Sequence, residues 1–242
     1  MAGPADFYSY DGESKFTRSG LNWELRLLTS GTLKFRTSVS ADLFAVGGGG
    51  AGGLYGGGGS GYTNTVRAQS LPSASLSVTI GDGGAAVAAS GSATSLVNGE
   101  TTVITANGGN GGSSNSNSRS GGNGGSGGGS GSYGSGKVGG YGAVNGGVAY
   151  NGTTYAATKG GYTSGNSSKV GSAGTSQGKT TCAFEEDDGE LFASGGNAVY
   201  SNTNARPYAT HTYTSGEANT GSGGGANTGL GGSGILIIRN AR

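Results

Sequence analysis

The stretch that leaves this chain the fewest choices is DLFAVGGGGAGGLYGGGGSGY, residues 42–62, where an apolar β-type segment runs straight into polyglycine. Looser versions follow: GGNGG at 108–112, GGNGGSGGGSGS at 121–132 and GGGANTGLGGSG at 223–234, the last leading into ILII at 235–238. Short β runs therefore open and close the glycine. Fixing a glycine in regular structure costs roughly 0.5–1 kcal/mol more than fixing an alanine. The 58 glycines of this 242-residue chain thus oppose order by roughly tens of kcal/mol in total. Two states fit such a composition. One is a flexible Gly/Ser linker. The other is a set of polyproline-II-like strands, with three residues per turn, about 3.1 Å rise and no internal hydrogen bonds. Packed side by side without side chains, such strands can bond to neighbours on several sides and satisfy every backbone group. The bracketing β segments favour the ordered state.

Disordered chains are usually highly charged, yet here the net charge is +1 and only 11% of residues are charged. With 3 prolines and no sustained G-X-Y period, collagen is excluded. The 14 basic residues are balanced by 13 acidic ones and form no block, so nucleic acid is not an expected partner. MAGPADFYSYDGESKF at the start shows no basic n-region and no apolar h-region, and no signal peptide is expected. No window approaches 18 apolar residues, so membrane insertion is not expected either. These features predict synthesis in the cytoplasm, with a place outside the cell reached by lysis or on an assembled virion. Cys182 has no partner for an internal disulfide, and a small buried apolar role is expected of it.

Alternation places the strands. Trp23, Leu25 and Leu27 alternate with Glu24 and Arg26, and Leu33, Phe35, Thr37 and Val39 with Lys34, Arg36 and Ser38. This predicts two half-buried antiparallel strands joined as a hairpin at Thr29-Ser30-Gly31. Leu43–Val46, Tyr62–Leu71, Leu76–Ile80 and Thr101–Ala106 read as further strands, and 190–193 and 198–200 as short candidates. Ile235–Ile238 is continuously apolar, as expected of a strand buried on both faces. No segment has a helical period. The predicted fold is all-β: a small antiparallel β sandwich with glycine-rich insertions packed as a polyglycine-II-like bundle and essentially no α-helix. Residues 1–41 read as an N-terminal attachment or scaffold region. Residues 42–242 read as a glycine-rich domain with a loop-rich part at 133–182.

NWELRLLTSGTLKF (22–35), DLFAVGGGGAGG (42–53), LSVTIGDGG (76–84) and GGSGILIIRNAR (231–242) stand in this order over most of the chain. Together they resemble the glycine-rich-domain proteins of prophage and phage tail modules. The resemblance implies a tail fibre or tail-tip adhesin, in which a polyglycine-II bundle displays receptor-binding loops. It implies a bacterial surface protein or glycan as partner, other tail proteins as neighbours, and a possible homo-oligomer. It brings no catalytic residues and no cofactor.

Chemical motifs are few. GSYGSGKV (131–138) satisfies G-x-x-x-x-G-K but has Val138 where the magnesium-binding hydroxyl belongs. AGTSQGKT (173–180) has Lys179 and Thr180 but Ala173 where the first glycine belongs. Neither follows a buried strand, and so much glycine makes chance matches expected. Glu185, Glu186, Asp187 and Asp188 form the one acidic cluster; its spacing fits no EF-hand loop, and a solvated turn is expected. His211 has no second histidine for a metal site and no partners for a nucleophile triad. The chain therefore reads as a non-enzyme with no metal.

Tyr133, Tyr141, Tyr150, Tyr155 and Tyr162 stand among Ser, Gly, Asn and Thr. Tyrosine in such surroundings makes an adaptable contact surface at low entropic cost. With Arg119 and Lys159 as polar partners, these are the candidate receptor-binding residues, on loops at 113–120 and 133–170. The competing role for the same tyrosines is to cover the glycine bundle. A self-assembling structural fibre or matrix protein is the alternative function, in which they would pack between subunits.

Overall fold

In the computed structural model of the protein, the described residues are 7–115, 120–129, 181–196 and 215–242. They form ten strands and no α-helix. In chain order these are β1 (Tyr8–Tyr10), β2 (Ser14–Ser19), β3 (Asn22–Leu27), β4 (Gly31–Phe35) and β5 (Val39–Val46), then β6 (Thr63–Leu71), β7 (Ser75–Thr79), β8 (Thr94–Asn98), β9 (Thr101–Ala106) and β10 (Ile235–Asn240). All pairing between them is antiparallel, in two five-stranded sheets ordered β1-β4-β7-β8-β9 and β2-β3-β10-β5-β6. The sheets face each other across a core of alternating side chains. Leu33, Phe35, Leu76, Val78, Leu96 and Ile104 come from the first sheet, and Leu25, Leu27, Leu43, Leu71, Leu236 and Ile238 from the second. The predicted β sandwich is present.

The alternation of β3 and β4 does face the core, but the two strands are not a hairpin. β3 pairs with β2 and β10, and β4 with β1 and β7, so residues 28–30 form a corner between sheets. Period-two alternation fixes which face a strand buries and leaves its neighbour open. The strands of the first 41 residues thus enter both sheets.

Unlike the other strands, β5 and β10 are buried almost without a break. Their inward residues join the main core. Phe44, Val46, Ile235 and Ile237 point the other way, beneath Ala183, Phe184, Phe192 and Ala193. Residues 181–193 thus cover this outer face, which is why the ILII run shows no alternation. At the end remote from the glycine, Trp23, Phe7, Phe35 and Phe16 close the sandwich, the Phe7 ring lying 4.9, 5.5 and 5.9 Å from the others in turn.

The glycine tracts leave the opposite end, and their hydrogen bonds run in threes. Along Gly47–Gly53 the amides of residues 47, 50 and 53 donate to the carbonyls of Tyr62, Gly59 and Gly56. Those of 48 and 51 donate to Ser92 and Ala89, and those of 49 and 52 to Gly232 and Gly229, all at 2.8–3.0 Å. The carbonyls repeat the pattern in three further directions. Residues 48 and 51 accept from Gly109 and Gly112, 49 and 52 from Gly84 and Ala88, and 50 and 53 from Gly224 and Asn227, at 2.6–3.0 Å. Partner numbers fall along the first three neighbours and rise along the last three. One central strand is therefore bonded to three antiparallel and three parallel neighbours. Only a threefold helix aims successive groups at three sides in turn, so this is polyglycine-II packing.

Space, rather than torsion, requires the glycine. Only Gly20, Gly99 and Gly221 among the described glycines have φ in the left-handed region. A methyl group built on Gly50 would instead fall on the Asn110 carbonyl, and one on Gly231 on the Gly49 carbonyl. The ordering cost of about 0.5–1 kcal/mol per glycine is met by hydrogen bonds of comparable net value, about 0.5–1.5 kcal/mol each. Ser60 keeps its side chain inside the bundle because its hydroxyl substitutes for a main-chain partner, accepting from the Ser126 amide at 2.6 Å.

Amide exchange checks the arrangement directly. Gly47–Gly53 are expected to exchange far more slowly than the exposed Asp187–Asp188 turn, on the scale of global unfolding. Exchange at unfolded-peptide rates in this tract would rule the lattice out.

Candidate functional surface

Chain direction gives the bundle two ends. Gly47, Tyr62, Gly81, Asn107 and Gly234 adjoin the strands β5, β6, β7, β9 and β10 and mark the inner end. At the outer end Gly53 donates to Gly56 around the Leu54–Tyr55 turn, Ser113 donates to Ser120, and the Leu54 amide meets the Ser114 hydroxyl at 3.1 Å. Gly129 donates to Gly196 at 2.9 Å, and both are tied to the tract behind the turn. Gly57 donates to Gly129 at 3.0 Å and Gly196 to Gly58 at 2.8 Å. The segments 116–119, 130–180 and 197–214 thus all start or end on residues of this outer end.

Arg119, Tyr133, Tyr141, Tyr150, Tyr155, Tyr162 and Lys159 lie outside the described residues. So do His211, both near-misses to a phosphate loop and the strand candidate at 198–200. The described part of the outer end contributes Leu54 and Val87, 45% and 44% exposed, beside Tyr55, Ser114 and Asn115. No charged residue occurs at 43–62, 83–99, 101–115 or 120–129. Contact made here would rest on main-chain and hydroxyl hydrogen bonds and on apolar area, with little ion pairing.

Charge is concentrated on the outer face of the β2-β3-β10-β5-β6 sheet. Asp42 sits opposite a β-bulge in β6, where Ala68 has φ of 48°. Its buried carboxylate accepts from the Ala68 amide at 3.0 Å, from Arg67 at 2.8 Å and from Arg239 at 3.4 Å. Arg239 is itself buried, and Glu186 grips it with both oxygens at 2.6 and 2.8 Å. Its guanidinium lies 3.9 Å from the Phe184 ring centroid, a cation–π stack. Arg67 donates to the Phe184 carbonyl. Burial opposes the charge on Arg239, but the bonds to Glu186 and the fields of Glu186 and Asp42 outweigh it and hold its pKa above the ordinary value. The same bond to Arg239 lowers the Glu186 pKa, against a smaller opposing effect of burial.

Two cations, Arg67 and Arg239, face two anions, Asp42 and Glu186, in this cluster. No group of three metal-ligating side chains is found among the described residues. The acidic turn is solvated at Asp187 and Asp188, whereas Glu186 is committed to Arg239. Cys182 is half-buried, less enclosed than the expected core residue. Near it, the strand candidate at 190–193 amounts to a single bridge, Cys182 with Leu191. Sequence reasoning missed the four-residue cluster. Its visible signal was a charge at the edge of each fully apolar run, Asp42 before LFAV and Arg239 after ILII; the two are register partners.

Together these observations define a class, the all-β glycine-rich scaffold, in which a sandwich carries a hydrogen-bonded polyglycine bundle. The glycine-rich domain family matches residues 28–241, and the chain belongs to that family. No curated protein and no solved structure matches it. No helix among the described residues is long and apolar enough to cross a membrane.

Proposed function

We propose that the protein is a phage or prophage tail-associated adhesin, without enzymatic activity, that binds a bacterial surface protein or glycan through loops carried at the outer end of the glycine bundle. The supporting observation is the joining of Gly129 to Gly196, with both anchored on Gly57 and Gly58. Gly129 and Gly196, from which the 130–180 and 197–214 segments leave, are thereby bonded into the lattice. Loops held on a rigid base lose less entropy when they bind. The described residues of that end carry no charge, which fits a partner recognised largely by shape, hydroxyls and apolar contact. In this reading Tyr133, Tyr141, Tyr150, Tyr155 and Tyr162 make the contact, with Arg119 and Lys159 beside them, and the protein acts on the virion or after lysis.

A fluorescent fusion applied to a panel of bacterial strains tests the proposal. The expected outcome is saturable binding to particular strains by a discrete species in solution. Replacing 133–170 by a short Gly/Ser linker is expected to abolish that binding while the fold is retained. Undiminished binding by the shortened protein would remove the assignment of the loops. Polymerisation with concentration and indifference to every strain would point to a structural fibre instead.

A further inference from the structure

Residues 181–193 lie across the outer face of the β2-β3-β10-β5-β6 sheet without joining its ladders. The main-chain bonds donated by Ala183, Glu185, Glu186, Gly189 and Phe192 close within the segment, while Ala193 at its end donates to Thr220 beside the bundle at 2.8 Å. Its attachment to the sheet runs through side chains. The rings of Phe184 and Phe192 lie 5.9 and 5.5 Å from that of Phe44. Glu186 binds Arg239, and Glu190 binds Arg26 at 2.7 Å. Arg67 reaches the Phe184 carbonyl. Phe184, Glu185 and Ala193 have φ of 55°, 56° and 58°, a left-handed conformation disfavoured for residues with a side chain. Such backbone persists only where its surroundings over-determine it.

We propose that residues 181–193 are an acid-released strap, which leaves the sheet when Glu186 takes up a proton and loses its two-oxygen grip on Arg239, while the sandwich and the bundle stay folded. Glu186 and Glu190 each pair with an arginine of the sheet, and in the Glu186–Arg239 pair the carboxylate is the partner that acid neutralises. Glu186 faces Arg239 on β10, Arg67 on β6 and Arg242, with Asp42 of β5 behind the two strand arginines. On its own segment it has Glu185, Asp187 and Asp188 as neighbours. Glu190 faces Arg26, which also binds Glu24 at 2.8 Å. The Glu186 pKa is depressed below the ordinary 4.5. Its contribution to holding the strap is therefore complete above that value and disappears as pH falls through the lower, folded-state one. Release would uncover Phe44, Val46, Ile235 and Ile237, an apolar stripe otherwise hidden beneath Phe184 and Phe192.

Hydrogen exchange read by mass spectrometry on the whole chain tests this, at about pH 7 and at steps down to about pH 3, each rate divided by its intrinsic rate at that pH. Protection over 181–193 is expected to fall about tenfold for each pKa unit of coupling lost, while β5 and β10 keep theirs. A Glu186→Gln variant is expected to show the acid pattern already at neutral pH, with little further change on acidification. Strap protection that is unaltered in acid, or that falls in step with β10, would overturn the proposal. The wild-type series decides the matter alone if the variant does not fold.

Discussion

Gly50→Ala is expected to disrupt the glycine bundle, whereas Gly20→Ala should leave the protein nearly as stable as before. A methyl on Gly50 would meet the Asn110 carbonyl and the Gly111 amide, both main-chain groups. Residue 50 donates its amide to Gly59 and accepts at its carbonyl from Gly224, so it cannot move aside without disturbing those bonds. Overpacking of this kind costs about 3 kcal/mol or more. Gly20 is the opposite case. Its φ is 60°, and nothing lies within 4 Å of the added methyl, so alanine there costs about 1 kcal/mol of backbone strain. Urea midpoints of the two variants decide between them. Equal losses would mean that glycine serves this chain by torsional freedom, and the close-packed lattice would be wrong.

Asp42→Ala is expected to be the most damaging change on the charged face, at about 3–5 kcal/mol. It removes the acceptor of Arg67, of Arg239 and of the Ala68 amide at once. The Arg239 side chain, 4% exposed, would then keep only Glu186 to balance its charge. Leaving a buried cation short of partners is what makes breaking such a group so costly. Glu190→Gln is the contrasting case: the Glu190 side chain is 53% exposed, and exposed pairs contribute about 0–1 kcal/mol. Chemical denaturation of both variants at neutral pH checks the contrast. Similar losses for the two would show that the Asp42 cluster is no more than a surface network.

Much of the fold could be read before any coordinates, because its signals are local. Leu25 and Leu27, Leu33 and Phe35, and Leu76 and Val78 face the core as their alternation requires. The uninterrupted ILII run is indeed covered on both sides. The polyglycine state was legible only in context: composition fits a flexible linker equally well, and the β segments at either end of the glycine tipped the reading towards a lattice. Partnership was not legible. The 29–31 turn looked like a hairpin because a two-residue period is the same whether the next strand stays in the sheet or crosses to the other. The Asp42–Arg239 pairing joins residues 197 positions apart, and no local pattern reports a contact of that reach. Strands β1, β2 and β8 also escaped notice, being short or polar enough to resemble loops. As for the proposed binding loops, Tyr133 to Tyr162 lie outside the described residues, and their role rests on composition and on where their roots stand.

The placement of β10 has a consequence for how the chain acquires its shape during synthesis. This strand is the middle of its sheet, between β3 and β5, yet it emerges from the ribosome after the other nine described strands. Gly47–Gly53 waits equally long for the neighbours it finds at 224–227 and 229–232. Folding must therefore be late and nearly concerted, as expected when most contacts span long stretches of sequence. A nascent chain that is only 32% apolar and broken by glycine offers little for premature association during that wait.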